Sequence, residues 1–304
     1  MDTSSGKNDQ CHTSQRTRCA ITKLRFKKRN SLLYKSGVEY GDWCLNHVEN
    51  CAHGCRFPCY AMMMAKRFGK IKSYADWLKP ILVENSLELL DKEIPKYKKS
   101  IKFVHLCFST DPFMVGYPEI ERMTLKIIEK LNANGVKATV LTKGILPAVL
   151  TDTRKFSPEN EYGITLVSLN EDFRKRFEPN TSPYADRLKA LKKLSDAGFK
   201  TWISMEPYPT PNLDNTAEKE FGKLLNSVKF VNKIIFGKLN YNVESSLFAD
   251  NKGFYDKRAR EVTDFCSRYD IECHIKFGTQ PVDNKKTSLL FKKAPVEACP
   301  LVCA

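Results

Sequence analysis

No run of apolar residues in this sequence reaches the length of a membrane span, and the opening MDTSSGKNDQ has no apolar signal region. Neither a membrane-embedded nor a secreted protein is expected. With secretion goes the usual reason for the eleven cysteines, a framework of disulfides. In a reducing cytosol, the expected compartment, thiols serve instead as metal ligands, catalytic groups or buried apolar fillers. The chain also lacks an internal repeat and a low-complexity linker, so one catalytic domain with short terminal extensions is the economical division of its 304 residues. Acidic residues are in short supply: 35 Asp and Glu stand against 50 Lys and Arg, a net charge of +15. Such an excess favours polyanionic partners such as nucleic acid and says nothing about fold.

The cysteines that are present are unevenly placed. CAHGCRFPCY, residues 51–60, holds three of them in nine positions. Thiols this close do not pair in strain-free disulfides, and a metal is the natural occupant. Three is one short of the four ligands that structural zinc takes, whereas an iron-sulfur cube bound by three cysteines keeps one iron open. A zinc-stabilised nucleic-acid-binding module stays open at this point, with His53 or Cys44 as the fourth ligand. Cys299 and Cys303 in CPLVC, together with Cys11 and Cys19, look like parts of a second metal site, in spacings that match no reliable pattern.

Elsewhere strands and helices alternate. IKFVHLCF (101–108), VKATVLT (136–142), YGITLVS (162–168), KTWISME (200–206), KIIFG (233–237) and ECHIKF (272–277) read as short strands buried on both faces. YPEIERMTLKIIEKLNANG places Ile120, Met123, Ile127, Ile128 and Leu131 on one helix face and stops at Gly135; SPYADRLKALKKLSDAG begins near Pro183 and stops at Gly198. AMMMAKRF reads as a helix with a core-packing methionine stripe. With WCLNHV (43–48) as first strand there are about six β/α units, which predicts an α/β fold, a partial (β/α)6 TIM-type barrel of parallel strands. Residues 1–37 form a basic extension whose TKLRF is either an edge strand or, preferably, a solvated lead-in. The core runs over 38–278 and a tail over 279–304.

Chemistry in such barrels gathers at the C-terminal ends of strands. The cysteine loop follows the first strand, Ser109, Thr110 and Asp111 the second, and Lys143 the third; Ser168 and Glu206 end the fourth and fifth. All should converge on one rim. Glu206 is placed there to accept from a ribose hydroxyl or an amino group.

CAHGCRFPCYA, CFSTDPF, VLTKG and VSLNEDFRKRFEPNTSPYADRLKALKKLSDAGFKTWISMEP together resemble the radical S-adenosylmethionine superfamily, and within it the spore photoproduct lyase group, over about residues 43–207. The resemblance implies a [4Fe-4S] cluster on Cys51, Cys55 and Cys59, with S-adenosylmethionine chelating the fourth iron. It implies cofactor contacts at Ser109, Lys143 and Ser168, and a low-potential reductant such as flavodoxin or ferredoxin. The group leaves two residues between its second and third cysteines; here there are three, Arg56, Phe57 and Pro58. Phe57 then takes the place of the group's adenine-side aromatic after a shift of one residue. Hydrogen abstraction by a 5′-deoxyadenosyl radical is the implied chemistry. Damaged DNA is one substrate, for which Cys107 and Tyr60 supply the hydrogen-return parts; a peptide or small metabolite is another.

Overall fold

The computed structural model describes residues 23–280. Eleven short strands are found there: β1 (Arg25–Lys27), β2 (Leu33–Lys35), β3 (Trp43–Leu45), β4 (Val48–Glu49), β5 (Ile81–Val83), β6 (Phe103–Leu106), β7 (Lys137–Thr142), β8 (Glu161–Thr165), β9 (Lys200–Tyr208), β10 (Lys233–Lys238) and β11 (Glu272–Ile275). The large sheet has the order β11-β10-β9-β8-β7-β6-β3-β2. Every pairing from β3 to β11 is parallel, and β2 runs antiparallel at one edge. The expected partial barrel is present, with six crossovers joining seven parallel strands. The crossover from β7 to β8 contains only a 3-10 turn, Ala148–Thr151, where a helix was expected.

Two strands precede residue 37. β1 pairs with β5 and β2 with β3, and Leu32 between them is 1% exposed. Arg25 and Phe26 at the end of TKLRF are therefore paired backbone, the edge strand of the two readings, though their side chains stay exposed. WCLNHV is not one strand: after Leu45 the chain leaves the large sheet, and Val48–Glu49 pairs with β5 in a separate three-stranded sheet.

Interior strands are buried on both faces, as β8 and β10 show, since helices cover the outside and side chains fill the inside. β11 is only partly buried because it has a neighbour on one side alone. The helix Pro118–Ala133 starts with proline at its first position and buries Ile120, Thr124, Ile127, Ile128 and Leu131; Met123 is only partly covered. AMMMAKRF is the helix Tyr60–Arg67, and no residue in it is buried. Its methionines are not core, since the helix lies on the surface past the last loop cysteine.

Buried histidines are the unusual feature of the interior. His47 and His105 are 0% and 2% exposed, and burial lowers each to about 3. His47 Nε2 lies 2.8 Å from Thr124 Oγ1, and His105 Nδ1 2.7 Å from Thr139 Oγ1. Both imidazoles are neutral partners of a hydroxyl.

Candidate active site

The cysteine loop begins at Asn50, whose φ of 62° is one that asparagine tolerates, and whose Nδ2 donates to the carbonyls of Asp76 and Lys79, both at 3.1 Å. Gly54 has φ 59°, and a Cβ there would stand 2.7 Å from Leu78 Cδ2 and from the Tyr74 hydroxyl. Only glycine fits. The Tyr74 hydroxyl donates to Gly54 O at 2.6 Å, and Asn180 Nδ2 to Ala52 O at 2.9 Å, so the loop is held from two sides.

The three thiols are half-buried and unpaired. Cys51 packs on an apolar cluster of Val48, Leu82, Cys107, Met114, Tyr117 and Ile120, and Cys55 on another of Phe57, Val167, Phe173, Phe177, Leu213 and Leu239. Burial pushes the Cys51 thiol well up, and the charge of Asp111 adds to it; burial pushes Cys55 up to about 12, against the pull of Lys143. Thiols so placed lose their protons most readily to a metal that replaces them. The donor set fits a cube. Among the described residues no three His, Cys, Asp or Glu side chains close on one point as a single ion requires, whereas a cube offers each thiolate its own iron.

Neither proposed fourth zinc ligand is at hand. His53 is 1% exposed, with Nε2 accepting from Val115 N at 3.1 Å and Nδ1 3.3 Å from Asp111 Oδ2. Cys44 is fully buried on β3 and accepts from the Tyr34 hydroxyl.

Asp111 joins the loop to the next strands. Its Oδ1 accepts from Thr142 Oγ1 at 2.6 Å and Phe113 N at 2.9 Å, and its Oδ2 from Lys143 N at 2.7 Å. Burial alone would raise this carboxyl, but His53 and these donors hold it below the usual carboxylate range. The turn beside it is tight: a Cβ on Gly144 would lie 1.9 Å from Phe113 O. Gly144→Ala is therefore expected to lower the melting temperature by several degrees, at a cost of ~1–3 kcal/mol, as overpacked sites do. Calorimetry checks it; an unchanged melting temperature would show that the turn yields freely.

Lys143 stands in a second network. Its Nζ lies 3.3 Å from Glu178 Oε1, and Glu178 Oε2 accepts from Arg187 Nη2 at 2.8 Å. Burial would lower the Lys143 ammonium, but Cys55 and Glu178 beside it hold it above its ordinary range. Glu178 Oε1 is paired in charge yet has no aligned hydrogen bond, which leaves a buried acceptor at the site.

The other residues read from the sequence fall in different places. Ser109 is half-buried on the loop after β6. Ser168 is 4% exposed, donates to Asp214 Oδ2 and accepts from Asn170 N at 2.9 Å, just ahead of the helix Glu171–Phe177. Burial raises Glu206 despite Lys276 at 3.1 Å. Phe57 is 3% exposed and stacks on Phe177 with ring centroids 5.2 Å apart, while Arg56 N donates to Phe177 O at 2.7 Å. Phe57 is thus turned into the protein. Cys107, at φ 63°, is 3% exposed with its Sγ 3.4 Å from His47 Nδ1, and burial pushes it up to about 12. Tyr60 is 62% exposed. Cys11, Cys19, Cys299 and Cys303 lie outside the described residues.

Sequence reasoning passed over His53 as a positioning group, and Glu178, Arg187 and Asp214 entirely. One signal was available: Arg187 falls on the helical stripe of Tyr184, Leu191 and Leu194, where an arginine demands a buried partner.

The model of the radical SAM superfamily matches residues 45–218, more than half of the chain, with the cysteine loop inside the match. The chain belongs to the radical SAM superfamily. This radical SAM enzyme therefore uses a [4Fe-4S] cluster and S-adenosylmethionine. It is 27% identical over 182 residues to the uncharacterized protein ORF301 of Acidianus two-tailed virus, covering 58% of this chain and 59% of that one. It is also 27% identical over 194 residues to the uncharacterized protein MJ0683 of Methanocaldococcus jannaschii, covering 62% and 67%. The chain thus spans about three fifths of the viral relative's length. Spore photoproduct lyase complexed with dinucleoside spore photoproduct superposes with a TM-score of 0.58 over 83% of this chain and 81% of its own, at 16% identity. A single-residue mutant of that lyase gives 0.62 at 13% identity. What this radical SAM enzyme shares with the lyase at such identity is the fold. No helix among the described residues is long and apolar enough to cross a membrane.

Proposed function

We propose that Cys51, Cys55 and Cys59 hold the cluster, that Lys143 pairs with the carboxylate of S-adenosylmethionine, and that the enzyme abstracts hydrogen from a nucleic-acid substrate, damaged DNA being the first candidate. The observation that carries the reading is the meeting of three unpaired thiols on one loop with the half-buried cation of Lys143. Bound together, cluster and S-adenosylmethionine supply one-electron reductive cleavage and a 5′-deoxyadenosyl radical. The chain's own residues shield and orient. The two apolar clusters exclude water from the thiols, Glu178 and Arg187 fix the Lys143 ammonium, and Ser109, Ser168 and Glu206 stand at the same strand ends as polar contacts for the cofactor.

The substrate class is supported by charge and surface. The exposed helix Tyr60–Arg67 directly follows Cys59 and carries Lys66 and Arg67 in its last turn. Arg56 before it is exposed, and Tyr60 and Phe68 are 62% and 52% exposed. Basic groups interleaved with aromatic rings suit a nucleic-acid strand. Spore photoproduct lyase, of the same fold, is known complexed with dinucleoside spore photoproduct.

Anaerobically reconstituted protein with dithionite is expected to release 5′-deoxyadenosine from S-adenosylmethionine, and faster with ultraviolet-damaged DNA. Lys143→Ala should keep the cluster and lose about tenfold or more in cofactor affinity, since a charge-assisted bond is worth ~1.5–3 kcal/mol. Unchanged affinity in Lys143→Ala would remove its assigned role, and equal rates with and without damaged DNA would remove the substrate class.

A further inference from the structure

We infer that Asp111 is the positioning residue that ties the cysteine loop to Lys143, and that its unpaired charge lowers the reduction potential of the cluster. This rests on the assignment of the cluster to Cys51, Cys55 and Cys59. Asp111 is 5% exposed and receives four donors: the Thr142 hydroxyl at 2.6 Å, Phe113 N at 2.9 Å, Lys143 N at 2.7 Å and His53 Nδ1 at 3.3 Å. The last is a donor because His53 Nε2 accepts from Val115 N at 3.1 Å, which leaves the ring proton on Nδ1. Four donors on two oxygens use every lone pair of an ionised carboxylate. An amide or a protonated carboxyl would set hydrogen against hydrogen at one of them.

The donors come from three segments. His53 lies between Cys51 and Cys55, Phe113 follows β6, and Thr142 and Lys143 end β7. One carboxylate therefore fixes the loop that bears the thiols against the strand end that bears the cofactor lysine.

The charge is as informative as the geometry. Glu178, a second buried carboxylate beside the thiols, faces two cations, Lys143 and Arg187. The donors to Asp111 are a hydroxyl, two backbone amides and the His53 imidazole, and among the described residues no lysine or arginine pairs with it. A fixed, poorly screened negative charge beside a cluster opposes the arrival of an electron. Cleavage of a sulfonium needs a strongly reducing donor, so a fixed negative charge here favours the chemistry.

The test is a redox titration of the cluster followed by electron paramagnetic resonance, with thermal melting of the same samples. Asp111→Asn, and Asp111→Ser should the amide not fold, are each expected to make reduction at least about tenfold easier, ~59 mV upward for one electron. His53→Gln, which leaves the charge in place, is expected to move the equilibrium less than about threefold on the same scale. If the Asp111 variants keep the wild-type potential while melting lower, the residue is structural only and the inference fails. A wild-type protein that takes up no cluster would instead remove the assignment on which the inference stands.

Discussion

Cys55→Ala is expected to abolish cluster assembly and with it all release of 5′-deoxyadenosine, while leaving the protein folded. Two thiolates cannot hold a cube in which three irons each need a protein ligand, and among the described residues the other thiols near the loop are buried. Cys44 and Cys107 are 0% and 3% exposed, one on β3 and the other facing His47. Cys51→Ala and Cys59→Ala should do the same. Cys107→Ala is the matched control: it removes a buried sulfur, costs on the order of 1–2 kcal/mol, and should keep the iron. Iron and sulfide analysis after anaerobic reconstitution decides the matter. Full iron in Cys55→Ala would place the cluster elsewhere.

Acid is expected to destabilise the fold steeply. His47 and His105 are lowered to about 3, whereas in the unfolded chain each titrates near its ordinary 6.5. Between those values the unfolded chain binds two protons that the native protein refuses. Stability is therefore intact above about pH 6.5 and falls as the pH drops toward 3, by up to ~2.7 kcal/mol per pH unit for two such groups. Asp111 and Glu178, held below the carboxylate range, add to the loss once the pH passes below their unfolded values. Urea denaturation at pH 7, 6, 5 and 4 measures the slope. A stability that stays level from pH 7 to 5 would mean that the two histidines become charged inside the native state.

The fold was legible because its signals are periodic. Apolar runs of strand length alternate with helical stripes, and Pro183 and the glycines at 135 and 198 mark helix ends that the structure reproduces. The break after Leu45 was not legible, because Asn46 and His47 alone do not rule out one short strand and only the pairing with β5 explains why Val48 turns away. In the candidate site, spacing and strand ends singled out the three cysteines and Lys143, and the structure places Lys143 beside Cys55. Asp111, Glu178 and Arg187 could not be assigned roles, because a charged residue's role depends on which partner the fold brings to it. Phe57 shows what sequence position leaves out: its ring packs against Phe173 and Phe177 from a helix far along the chain while Lys143 Nζ lies 5.8 Å from its centroid.

The most direct measurement is the electron paramagnetic resonance spectrum of the reduced, reconstituted protein before and after addition of S-adenosylmethionine. Three cysteine ligands leave one iron of the cube without a protein donor, and the cofactor should occupy it. A [4Fe-4S] signal that changes shape on addition of S-adenosylmethionine is the predicted result. Stoichiometric zinc with no iron uptake, or a cube whose spectrum ignores the cofactor, would contradict the account.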